Sequence, residues 1–185
     1  MSKEEQILSD DHDAVSEVLK QLLTALDNQD VQTSYARLDL VWARLAIHIR
    51  AEHLHLFPAV IDRLTKAGDY ALVTDLSEAR TIVEHLRTDH DFFMRQLGGA
   101  IGILRALPNE IVTARDEATL VAVRDDVLQI TARLVTHNEI EESQIYRWSS
   151  TILTKSEQLE LAARINAELE NRPPRFSAEV WANRL

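Results

Sequence analysis

The chain has 185 residues, 45% of them hydrophobic and 27% charged, with a net charge of −10 at neutral pH and no cysteine. Acidic balance without any Lys/Arg-rich segment argues against a nucleic-acid partner or an anionic membrane surface. The lack of cysteine excludes disulfides, thiolate metal sites, iron–sulfur clusters and cysteine nucleophiles, so any metal must be held by His, Asp or Glu.

Only four Gly and four Pro, against abundant Ala, Leu, Glu and Arg, predict a nearly all-α chain. Apolar residues spaced alternately by three and four define four stripes. The first, in a helix over about residues 3 to 28, runs His12, Val15, Leu19, Leu22, Leu26 and stops at DNQD. The second, over about 31 to 57, runs Leu38, Val41, Leu45, His48, Glu52, His55, and Pro58 breaks that helix or starts a short new one. Gly68 marks a turn.

The third helix, about 70 to 107, carries Leu72, Leu76, Ala79, Val83, Leu86, His90, Phe93, Leu97, Ala100, Leu104 and Leu107. Gly98, Gly99 and Gly102 interrupt it, which predicts a close helix contact or a bend. After PNE, a fourth helix over about 114 to 150 carries Leu120, Val123, Val127, Ile130, Leu134, His137, Glu141, Gln144 and Trp148. A last helix, about 156 to 171, precedes a tail whose Phe176, Val180 and Trp181 are expected to pack on the rest. The expected organisation is an antiparallel up-down four-helix bundle over residues 1–150, with residues 151–185 as an added helix and tail.

Helices joined by short turns are antiparallel neighbours, so residues equally far from a turn lie level. Residue 30, midway between His12 and His48, falls in the DNQD turn, and the midpoint of His90 and His137 falls just after PNE. Both hairpins repeat one design, a lone His and then a His-x-x-x-Glu, and DHDAVSEVL at residue 11 is echoed by DHDFFMRQL at residue 89. Stacked as a pseudo-twofold, they bring His12, His48, Glu52, His90, His137 and Glu141 into one layer, since residues four apart share a helix face. Two buried carboxylates without partners would cost several kcal/mol each, which a cation removes. Imidazole and carboxylate without sulfur suit Fe, Mn or Zn, and two shared carboxylates between two pairs of His point to two metal ions, iron first.

HIRAEHLHLFP at residues 48 to 58 and HNEIEES at 137 to 143 resemble the second and fourth helix motifs of the hemerythrin-like, or HHE cation-binding, family. The resemblance covers about residues 8 to 150 and implies a non-haem di-iron centre with bridging carboxylates. By position it makes His12 the first-helix ligand, His48 and Glu52 the second-helix pair, His90 the third-helix ligand, and His137 and Glu141 the fourth-helix pair. It implies chemistry with O2, peroxide or NO, or sensing of iron or redox state. Oxygen-carrying members have two third-helix histidines four apart, but Leu86 and Met94 flank His90 at that spacing, which leans away from a reversible carrier. The family's frequent second Glu on helix two is His53 here. His53, His55, His85 and Glu142 are therefore candidates for a replacement ligand, while Asp11, Asp13, Asp89 and Asp91 are expected to face solvent or start helices.

Whether such a centre catalyses peroxide or NO removal or only binds is left open by the residues. A ferritin-like carboxylate oxidase needs two Glu-x-x-His motifs, and only Glu52-x-x-His55 is present. A metal-free interaction module with histidines as a pH switch is the remaining alternative. With no apolar run of about 18 residues and no signal-peptide pattern in MSKEEQ, the expected location is the cytoplasm.

Overall fold

A computed structural model describes residues 2–67, 73–111 and 113–182. Helix α1 (Lys3–Asp27) starts at a capping box in which Ser2 and Glu5 satisfy each other's backbone N–H. Asp30 caps α2 (Val31–Ala51), which passes through a π-helical turn, Glu52–Leu56, into α3 (Phe57–Ala67). Asp75 caps α4 (Leu76–Ala106) and Thr113 caps α5 (Ala114–Ile140). A second π-helical turn, Glu141–Tyr146, joins α5 to α6 (Arg147–Ile152). A Thr154/Glu157 capping box opens α7 (Lys155–Leu169), and α8 (Ala178–Ala182) ends the described chain.

Three details bear on the sequence reading. The third long helix begins at Leu76, not at 70, because Asp75 supplies its cap, while Leu72 and Gly68 lie outside the described residues. Pro58 does not interrupt the chain's helical course; it lies in the first turn of the short helix α3, which the π turn joins to α2. In an unbroken α-helix its ring would clash with the carbonyl of Leu54, and the π turn just before it lets the helix continue. Of the three glycines, only Gly98 approaches a neighbour, with a Cβ there 3.9 Å from Trp42 Nε1, an ordinary contact. Gly99 and Gly102 face open space, and α4 runs through them.

The architecture is an all-α four-helix bundle in which α1 packs on α2, α2 on α4, α4 on α5 and α5 on α1, with α7 laid across α1 and α2. No strand occurs among the described residues. The stripes build two apolar cores. One, on the side of the two hairpin turns, is formed by residues such as Leu22, Leu38, Val41, Leu97, Leu104, Val123 and Val127. The other joins Leu8, Leu56, Val60, Leu64, Leu86, Ile145 and Ile165. Each fully buried side chain of this size stabilises the fold by about 1.5–3 kcal/mol. Between the two cores lies a buried polar layer.

The C-terminal segment packs as expected at two of its three apolar residues. Phe176 is buried in the first core and Trp181 packs against it, whereas Val180 is exposed. Arg175 donates from Nε and Nη2, one edge of its guanidinium, to both oxygens of Asp39, at 2.8 and 2.9 Å.

Candidate metal centre

The polar layer sits where both π turns begin. His48 and Glu52 occupy successive turns of one helix face, as do His137 and Glu141. Each glutamate is the first residue of a π turn, and the wider turn aims the next side chains in directions an α-helix would not give them. His12 from α1 and His90 from α4 complete the layer. All six sequence-predicted residues meet there, His12 being 6% exposed, the other histidines 2% and both glutamates 0%.

The donor atoms form two overlapping groups able to hold a metal ion, His12, His48, Glu52 and Glu141 in one, His90, His137 and Glu141 in the other. In the first, His12 Nε2 lies 3.1 Å from His48 Nε2 and 3.3 Å from Glu141 Oε2. In the second, His90 Nε2 lies 3.0 Å from His137 Nε2. Glu141 belongs to both groups, and Glu52, a member of the first, also faces the second. Glu52 puts Oε1 3.4 Å from His48 Nε2 and Oε2 3.4 Å from His90 Nε2. Glu141 puts Oε2 toward His12 and Oε1 3.1 Å from His137 Nε2.

The sequence reading misplaced the aspartates that hold this layer. Asp11 and Asp89 were expected at the surface but are buried, because each is the acceptor for a histidine of the neighbouring helix. His48 Nδ1 donates to Asp11 Oδ2 at 2.9 Å, and His137 Nδ1 donates to Asp89 Oδ2 at 3.2 Å. A carboxylate accepts only, so each bond fixes the proton on Nδ1 and leaves the Nε2 lone pair pointing into the layer. The outer oxygens are held by arginines one turn before each histidine. Arg44 Nη2 donates to Asp11 Oδ1 at 2.7 Å and Arg133 Nε donates to Asp89 Oδ1 at 2.9 Å. Asp13 and Asp91 are exposed, as expected.

Four residues were candidates for an extra ligand, and none of their atoms joins either donor group. Glu142 and His53 instead stand behind the two lone histidines. His12 Nδ1 donates to Glu142 Oε1 at 3.1 Å, and His90 Nδ1 lies 2.9 Å from His53 Nε2. His55 is rotated out of the layer by the π turn and lies 3.8 Å from Glu168 on α7, so the one Glu-x-x-His motif does not converge on the site. His85 is exposed, 3.8 Å from Asp89 Oδ2.

Tyr146 was not anticipated. Its hydroxyl lies 3.0 Å from Glu52 Oε1, 3.1 Å from His12 Nε2 and 3.4 Å from Glu141 Oε2, and its ring stacks on His12 with centroids 5.8 Å apart. It follows Glu141 by five residues, about 140° away on an α-helix, but the π turn brings it round. Gln144, expected on the stripe, is only partly buried, and Ile145, Tyr146 and Ser149 take the inward positions.

Histidines and carboxylates in the layer favour each other's charged forms against burial. Burial opposes charging of His48, yet Glu52 and Asp11 outweigh it and raise its pKa well above the ordinary value. Burial likewise works against His12 and His137, and their carboxylate partners raise both. Burial pushes Glu141 up, but His137, His12 and His90 bring it well below the usual range. Burial and the two glutamates push the Tyr146 hydroxyl well above its ordinary value. Even so, Glu52 Oε2 and Glu141 Oε1 are buried and accept no hydrogen bond, although imidazole nitrogens stand close by. Two buried carboxylate oxygens without a hydrogen bond, each within 3.4 Å of an imidazole Nε2, are what bound cations would satisfy, and the donor set is all N and O.

No curated protein and no solved structure matches the chain. The family model described as the hemerythrin HHE cation-binding domain matches residues 4–149, which take in every donor of the layer and Tyr146. On that match, extending over most of its length, the chain belongs to the hemerythrin HHE cation-binding family.

Proposed function

We propose that the chain is a non-haem di-iron protein that binds or reacts with a small oxidant such as O2, peroxide or NO. His12 and His48 would hold one iron and His90 and His137 the other, with Glu52 and Glu141 supplying carboxylate oxygens between the two pairs. One observation carries this reading: each buried carboxylate directs one oxygen to each histidine pair. Iron in such a set supplies redox chemistry and a Lewis-acidic position for a small ligand. Mn and Zn accept the same donors.

The chain's own residues prepare the site. Asp11 and Asp89 keep the proton of His48 and His137 on Nδ1, and Glu142 does the same for His12. For His90 to offer Nε2, its Nδ1–H must donate to His53, which requires neutral His53. Burial, then His90 and Arg87, lower the pKa of His53 and favour that form. The apolar cores above and below exclude water from the layer.

The test is metal analysis of protein purified and reconstituted anaerobically. About two irons per chain are expected, with His48→Ala and Glu141→Ala losing at least one and His85→Ala keeping both. Failure of the intact protein to take up any transition metal would sink the proposal. The metal-free alternative must leave two fully buried glutamates, each with an unpartnered oxygen, at a cost of several kcal/mol. No structural observation favours it.

A further inference from the structure

The two halves of the layer are related by a pseudo-twofold that extends beyond the donor atoms. Asp11–His12 corresponds to Asp89–His90, and Arg44, His48 and Glu52 correspond to Arg133, His137 and Glu141. Continuing five residues past each glutamate pairs Phe57 with Tyr146. Both side chains are almost fully buried, and each ring stacks on the lone histidine of the opposite half. Phe57 lies on His90 with centroids 6.1 Å apart and planes 9° apart, and Tyr146 lies on His12 at 5.8 Å and 24°. The same pocket therefore carries a hydroxyl on one side and a C–H on the other.

That hydroxyl is placed among donors. Bonds of about 2.1 Å to a common ion set neighbouring donors roughly 3.0 Å apart at right angles. Around His12 and His48 the observed spacings are 3.1 Å between the two imidazoles, 3.3 and 3.4 Å to the glutamates, and 3.0, 3.1 and 3.4 Å from Tyr146 Oη. The phenol oxygen is spaced like the other members of the set. One O–H can serve only one of its two carboxylate neighbours as donor, so a hydrogen-bonding role alone leaves the second contact unexplained. Around His90 and His137 the donor group is two imidazoles and one Glu141 oxygen, with Glu52 Oε2 3.4 Å from His90 Nε2, and Phe57 adds none.

We infer that Tyr146 is a fifth ligand of the ion held by His12 and His48, and that the ion held by His90 and His137, facing Phe57, is the one left open to an external ligand. The inference rests on the di-iron reading above and assigns its two positions different tasks. On coordination the phenol O–H bond gives way to an O–iron bond, and the proton leaves to solvent.

The test uses the full chain loaded with iron(II) under nitrogen and then oxidised in air. Wild-type protein is expected to show a visible phenolate-to-iron(III) charge-transfer band, with tyrosinate modes in resonance Raman spectra excited within it. Tyr146→Phe should lose both while keeping two irons, and Phe57 shows that a ring without a hydroxyl fits this kind of pocket. The Tyr146→Phe/Phe57→Tyr double variant should regain the band. Azide, used as the external ligand, should bind once per wild-type chain and twice per Tyr146→Phe chain. Two bound irons without the band, or equal azide stoichiometry in both proteins, overturns this inference and leaves the di-iron reading standing. No bound iron overturns both.

Discussion

Asp11 and Asp89 do the same job in the two halves, but the structure predicts very different costs for removing them. Asp11 lies between His48 Nδ1 at 2.9 Å and Arg44 Nη2 at 2.7 Å, and the Arg44 side chain is only 5% exposed. Asp11→Ala leaves that guanidinium buried with one remaining bond, from Nη1 to the Trp181 carbonyl at 2.9 Å, and its Nε is already without a partner. Breaking a buried pair from one side costs about 3–5 kcal/mol. Arg133, the partner of Asp89, has a side chain 38% exposed and lies over the Phe92 ring at 4.1 Å, so after Asp89→Ala it can turn to water. Loss of a bond of that kind costs about 1–2 kcal/mol. The difference is about 1–4 kcal/mol, and at about 2–4 °C per kcal/mol for a chain of this size Asp11→Ala should melt roughly 2–16 °C below Asp89→Ala in metal-free protein.

Metal affinity should respond differently. Each aspartate orients one histidine, so each substitution should weaken one ion by about 10–100-fold and leave the other nearly unchanged. Thermal unfolding in chelator, paired with anaerobic iron(II) titration, reads both quantities. Equal melting temperatures for the two variants would refute the burial reasoning, and unchanged affinity in both would refute the orienting role.

The pH dependence of the metal-free protein reflects opposed shifts. His48, His12 and His137 are raised, so their contribution is complete below the ordinary histidine pKa of about 6.5 and is lost as pH rises through the raised values. Glu141 is lowered, as is Asp11 to about 2, so their contribution is present above the ordinary carboxylate range and is lost as pH falls through the lowered values. Bound metal replaces the histidine protons, so the gain in melting temperature on adding Zn(II) should grow between about pH 6 and 8; a constant gain would contradict this. Gly99→Ala and Gly102→Ala meet no atom within 4 Å, and each should stabilise α4 by about 0.5–1 kcal/mol in urea unfolding. Iron(II) titration of metal-free protein should be biphasic, with the tighter step lost in His12→Ala and the weaker in His137→Ala; identical loss of both steps in either variant would count against unequal sites.

The fold and the meeting of the six polar residues in one layer were legible because both rest on α-helical spacing, which the sequence keeps from His12 to Glu141. The residues that were missed lie where that spacing changes or where partners come from another helix. After Glu52 and Glu141 the π turns slip the phase, moving His55 and Gln144 off the seam and bringing Tyr146 in. Pro58, six residues after Glu52, hints at the first slip, but nothing comparable comes after Glu141. Asp11 and Asp89 sit beside the stripe and looked solvent-facing, yet each reaches a histidine on the next helix. A signal for them was present: an Asp before each lone His and an Arg four before each paired His, once per hairpin.

The departures from the repeat say more about function than the repeat does. Three pairs around the layer differ, two in residue type and one in burial, and the first two each place an added oxygen beside His12. Tyr146 stands opposite Phe57, and Glu142 stands opposite His53. A carboxylate accepting from His12 Nδ1 makes that imidazole a stronger donor than a neutral His53 makes His90. The third, Arg44 against Arg133, buries the outer support of the His12/His48 half and ties it to the C-terminal segment through the Trp181 carbonyl. Bridging carboxylates alone would give two equivalent ions. On the di-iron proposal these differences would surround the His12/His48 ion with anionic, rigidly supported groups and leave the His90/His137 ion fewer ligands and a softer surround, a division suited to holding one iron firmly while the other meets the small molecule.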